Sequence, residues 1–178
     1  MARESVKASK SESLTIRLDP KTRFVLEYVS RLNGQTITTV VERAIHSAAA
    51  ERSFYDDNYG RQLGWQDFWN VSEGVRALSM SQHSEFFPTY EEEKRLAFCK
   101  EHWPFFWFTK ERKSYITHYI DVLWPRIDEF VQAHDDFRST DYFAAGRAMQ
   151  AALKGAKLQS PEWPSLRTTK TKDDDIPF

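Results

Sequence analysis

Between residues 13 and 18 the chain alternates strictly, with Leu14, Ile16 and Leu18 apolar and Ser13, Thr15 and Arg17 polar. A period of two predicts a half-buried β-strand. The period then changes at once. Asp19 followed by Pro20 has the form of an N-cap with proline at the first helical position. Thr22, Leu26 and Val29, widened by Val25 and Leu32, mark the stripe of a helix running to about Asn33. Gly34 stands where a helix end favours a left-handed residue. Thr36 is placed to cap a second helix, with Ile37, Val40, Val41, Ala44 and Ile45 as its stripe and an end near Arg52.

From 53 to 160 the pattern predicts helices with breaks, no strand and no repeat. A short helix is expected within 65–81. Thr89 and Glu92 have capping-box spacing and open a helix to about His102. Thr109 is expected to cap a long helix through Tyr115, Ile116, Tyr119, Ile120 and Leu123, continuing or kinking at Pro125 into Ile127, Phe130 and Val131. Ser139 or Thr140 is expected to open a last helix through Tyr142, Phe143, Ala148 and Leu153, stopped by Gly155. The fold class expected is mainly α: one strand and two helices over 13–52, then an all-α, aromatic-rich domain over 53–156. Residues 157–178, with three prolines and no helical stripe, read as a linker ending in an acidic tip, with Trp163 available to dock on the body.

Composition sharpens the boundary. Residues 1–52 hold nine Lys and Arg against six Asp and Glu, whereas the rest hold sixteen against twenty. Only Phe24 and Tyr28, of all the aromatics, precede residue 53. The first segment is small, basic and aliphatic, and the second acidic and aromatic. Residues 1–12, with Arg3, Lys7 and Lys10, read either as a flexible basic arm that follows phosphates or as a plain terminus. Hydrophobic residues at 40% allow a packed core, and no apolar run approaches the ~18 residues of a membrane span. The N-terminus lacks an apolar signal region, and the single Cys99 excludes an internal disulfide, so a cytoplasmic protein is expected.

One strand and two helices in some forty residues cannot bury enough surface alone, and a lone strand leaves both edges unpaired. A homodimer with the two strands paired antiparallel answers both problems. Its outer face carries Ser13, Thr15 and Arg17 from each chain on a ribbon that fits the major groove of DNA. The stretch LTIRLDPKTRFVLEYVSRLNGQTITTVVERAI, with its Gly34-Gln35-Thr36-Ile37-Thr38 turn, resembles the ribbon-helix-helix (MetJ/Arc/CopG) family over about 13–50. That resemblance implies double-stranded DNA as partner, with Ser13, Thr15 and Arg17 as base readers. It also implies phosphate binding at Thr36, Ile37 and Thr38, and it implies transcriptional regulation. The side chains suit these roles. Arginine pairs bidentately with guanine, and a helix start presents free N–H groups to phosphate. Ser13 is shorter than the usual reader, which puts the weight on Thr15 and Arg17.

The remaining chemistry is sparse. Cys99 and His102 lie a helical turn apart without a second ligand pair, so a buried cysteine and a surface histidine are expected there rather than a metal site. His118 and His134 stand alone, and His134-Asp135-Asp136 reads as a solvated helix end. Glu91, Glu92 and Glu93 suit a helix first turn. No phosphate loop or nucleophile elbow is present, so no cofactor, no metal and no enzymatic activity are expected. HWPFFWFTK, residues 102–110, reads as core ahead of a ligand pocket or partner groove. The last six residues, Asp173, Asp174, Asp175, Ile176, Pro177 and Phe178, resemble the acidic tip of bacterial single-stranded DNA-binding protein. That likeness implies docking of host genome-maintenance proteins: Phe178 fills an apolar pocket and the aspartates steer toward a basic rim. The two resemblances together imply a regulator carried by a mobile genetic element. The alternatives are a replication, partition or conjugation accessory, and an antitoxin. Assembly beyond a dimer on DNA is left open.

Overall fold

The computed structural model describes residues 14–164, which are mainly helical with one small antiparallel sheet. The chain divides into two compact units, the boundary falling between Ser53 and Phe54.

In the first unit, α1 (Pro20–Asn33) begins where Asp19 accepts from the backbone N–H of Lys21 and Thr22 at 2.9 and 3.1 Å and from the Thr22 hydroxyl. It stops at Gly34, whose φ of 60° is a left-handed conformation that side chains resist. The Gln35 N–H then returns to the Ser30 carbonyl at 3.0 Å, and Thr36 caps α2 (Ile37–Ala50) through the Thr39 N–H at 3.1 Å. The strand expected at 13–18 is not formed in the single chain: residues 14–19 carry no regular structure, and Leu14, Ile16 and Leu18 are exposed. The physical reason is that no edge in the same chain offers a ladder to this segment. No residue of α1 or α2 is buried either; Leu26, Val29, Val40 and Val41 are only half-buried.

The second unit corrects the all-α expectation. It opens with a hairpin, β1 (Ser53–Asp56) and β2 (Arg61–Gly64). Asp56 folds the turn by accepting from the N–H of Asn58 and Tyr59 at 2.8 and 3.0 Å, and Gly60 closes it at a φ of 63°. The strands are too short for hydrophobic alternation to show. The hairpin rests on rings: Phe54, Phe68, His83 and Phe86 pack with centroids 4.8–6.4 Å apart, and His83 Nδ1 lies 3.2 Å from the buried Asp56.

After the single turn α3 (Trp65–Phe68), Ser72 caps α4 (Glu73–Met80). Gly74 lets α4 close on the next layer, because a Cβ there would lie 2.5 Å from Ile120 Cγ2 and 2.6 Å from Trp124 Cγ. The capping box of Thr89 and Glu92 is formed at the start of α5 (Tyr90–Glu101), with Glu91–Glu93 in its first turn. The helix expected from Thr109 is absent. Instead Trp107 and Tyr115 form an antiparallel bridge, the Phe108 N–H bonds the Ser114 carbonyl at 3.0 Å, and α6 (Thr117–Leu123) starts later. Burying Phe105, Phe106 and Trp107 side by side, each fully inaccessible, requires this non-helical segment, since a helix would turn them to different faces. Pro125 sits in a short 3₁₀ turn leading to α7 (Ile127–Phe137). The last helix, α8 (Ala144–Gly155), has no side-chain cap, so neither Ser139 nor Thr140 opens it.

The core joins α4–α8 around Leu78, Cys99, Phe105, Phe106, Trp107, Ile120, Leu123, Met149 and Leu153. Lys94 to Asp135 and the two-pronged Arg95 to Asp128 pair fix α5 against α7 at 2.6–2.8 Å; being exposed, they set register more than stability. Residues 156–164 strap across α6 and α8. The Tyr119 hydroxyl donates to the Gln159 carbonyl, and Gln150 donates to the Pro161 carbonyl at 2.8 Å. Trp163 then enters the space over Gly146. No helix among the described residues is long and apolar enough to cross a membrane.

Candidate nucleic-acid interface

The residues expected to meet DNA fall into two groups in the first unit. Thr15 and Arg17 are exposed in the irregular segment before α1. Ser13, Lys7 and Lys10 lie outside the described residues, as do Asp173, Asp174, Asp175, Ile176, Pro177 and Phe178. At the start of α2, Thr36, Ile37 and Thr38 are exposed. The Thr36 hydroxyl takes the Thr39 N–H, which leaves the N–H groups of Ile37 and Thr38 at the positive end of the helix. One further cation belongs here that the sequence pattern did not single out. With its amide oxygen turned toward α2, Gln35 accepts from the Arg43 guanidinium, which holds that charge beside the same turn. The signal was available, because Arg43 lies two helical turns beyond Thr36 and so on its face.

The second unit's titratable groups are arranged for packing. Cys99 is buried and unpaired, and burial pushes its thiol well above the usual range, so it stays protonated and unreactive. His102 is not a surface residue, as its place at a helix end suggested, but fully buried. It stacks between Phe98 and Trp163, at 4.2 and 4.8 Å between centroids, with Nδ1 3.0 Å from the Phe98 carbonyl. His134 is likewise buried rather than solvated, edge-on to His102 at 5.1 Å and 3.5 Å from Glu101. Neighbouring Asp135 is held by Lys94. His118 is exposed beside Tyr119. Among the described residues no group of three or more His, Cys, Asp or Glu could hold a metal ion.

Burial carries His102 down to about 4 from an ordinary 6.5; the His134 ring lowers it further, while the Phe98 carbonyl and Glu101 pull the other way. Below pH 6.5 the unfolded chain therefore takes up a proton that the native chain refuses. Stability is full above that pH and falls as the pH drops toward 4, by about 3 kcal/mol. Urea unfolding at neutral and acidic pH measures this loss, and His102→Phe, which keeps the stack, is expected to remove most of it.

No protein-family model, curated protein or solved structure matches this chain.

Proposed function

We propose that this chain is a dimeric, sequence-specific double-stranded DNA-binding protein. In this reading two copies of residues 13–18 pair as a ribbon-helix-helix head. Ser13, Thr15 and Arg17 read base edges, and the start of α2, with Arg43 beside it, holds phosphates. The observation that carries the proposal is the first unit's lack of an interior. Two well-capped helices and the segment before them expose Leu14 at 78%, Ile16 at 59%, Leu32 at 68% and Ile45 at 57%, with nothing buried in either helix. A unit of this kind gains a core from a second copy. Its polar alternates then line the outside of the ribbon, at the width of a major groove.

The finer role in this proposal is transcriptional regulation on a mobile genetic element, with Asp173–Phe178 docking host genome-maintenance proteins. An accessory role in replication, partition or conjugation uses the same head, and the likeness of the tip to that of single-stranded DNA-binding protein favours it as the second reading.

The test is site selection from random duplex DNA with the full chain. The wild type is expected to enrich a two-fold symmetric site. Two bidentate arginine contacts per dimer, at ~1–3 kcal/mol each, put the loss in Arg17→Ala at about 30-fold or more for that site. Its helix content and mass stay unchanged. Failure of the wild type to enrich any site, or equal affinity in the variant, would refute base reading by this segment.

A further inference from the structure

Thr22, Leu26 and Val29 form the stripe of α1 that the proposed dimer covers. A second apolar row lies roughly opposite, at 100° of rotation per residue: Phe24, Tyr28 and Leu32, one turn apart. These three are exposed at 65%, 54% and 68%. The rings of Phe24 and Tyr28 stack at 6.3 Å, 28° from parallel. With Glu27 and Arg31 they border a shallow groove of about 270 Å³. One exposed leucine needs no explanation, but three large apolar side chains in a row mark a contact surface.

We propose that this row joins one dimer to the next, α1 packing antiparallel on the partner's α1 across a two-fold axis at Tyr28. The row is symmetric about that residue, so the axis sets Phe24 against the partner's Leu32, Leu32 against the partner's Phe24, and Tyr28 against itself. The charges match as well. A two-fold axis normal to two antiparallel helices brings like flanks together. Glu27 and Arg31 share a flank, so Glu27 meets the partner's Arg31 and Arg31 meets the partner's Glu27. Within its own chain Glu27 is engaged only by Arg23, in an exposed pair at 3.1 Å that yields readily.

Three side chains offer a few hundred Å² per copy, well short of the ~800 Å² per partner of a stable interface. The contact is therefore weak in free solution and effective once DNA holds two dimers side by side, where the effective concentration is of millimolar order. The inference rests on the dimer reading above and adds a surface to it.

The test uses the full chain with Tyr28→Cys, oxidised, with the native mass read by light scattering. Buried Cys99 does not compete. Expected is a doubling from dimer to tetramer, reversed by reductant, while Phe24→Cys, which faces the partner's Leu32, does not double. No doubling of a dimeric Tyr28→Cys protein, or equal doubling of both variants, overturns the contact and leaves the dimer intact. A wild type that is monomeric throughout overturns the dimer reading beneath it. Tyr28→Glu is expected to remain a dimer. Monomers there would make this row the primary interface and overturn both.

Discussion

Ile16→Asp is expected to convert the dimer into a monomer with an unfolded first unit and a folded body. In the proposed ribbon Ile16 points into the shared core near its partner copy, so two carboxylates would be driven together out of water, at several kcal/mol each. The first unit has no interior of its own to fall back on. Its folding and its association are then one equilibrium. Light scattering would report half the native mass, and circular dichroism would lose the share of α1 and α2, while the body's unfolding transition stays. DNA affinity would fall by at least about 100-fold, in line with loss of phosphate and base contacts together. Thr15→Asp is the control. One residue along, it lies on the opposite face, so the dimer persists and only DNA binding weakens. A dimeric Ile16→Asp protein would sink the ribbon.

The second large effect is in the body and turns on one glycine. A Cβ on Gly146 would lie 2.0 Å from Trp163 Nε1 and 2.3 Å from Trp163 Cδ1, far inside contact distance. Gly146→Ala is therefore expected to expel Trp163 from its slot beside His102, Phe105 and Phe143. The cost is about 2–3 kcal/mol, the lost burial of one large side chain. Trp163→Ala alone is expected to cost a similar amount. In the Trp163→Ala background, however, the same Gly146→Ala change meets open space inside a helix, where alanine is better than glycine by ~1 kcal/mol. The sign reverses. Chemical unfolding of the four proteins measures the cycle, and a red shift of tryptophan emission reports the expelled ring. Additive losses would mean that the strap is not seated over Gly146.

Local signals carried the first unit and the individual helices of the second. Asp19-Pro20, Gly34 and Thr36 each act within a turn of their own position, and the structure places a cap, a left-handed residue and a second cap there. Thr89 and Glu92 belong to the same class, as does the break at Pro125. What failed were features set by distant partners. Four-residue strands held by a turn at Asp56 and a floor of Phe68, His83 and Phe86 leave no period to read. Tyr115 and Ile116 look helical in isolation, yet Tyr115 bridges to Trp107 so that three consecutive aromatic side chains can be interior.

The candidate site divides along the same line. Which side chains alternate at 15 and 17, and which residues begin α2, was legible in the sequence, because strand and helix periods are properties of neighbouring residues. That Arg43 stands beside Gln35, that His102 and His134 are interior, and that Gly146 makes room for Trp163 were settled only by packing between segments far apart in the chain. Short-range backbone preferences are written residue by residue. Burial is a property of the whole arrangement, because water is excluded by whichever surfaces meet, and only the tertiary structure decides which those are.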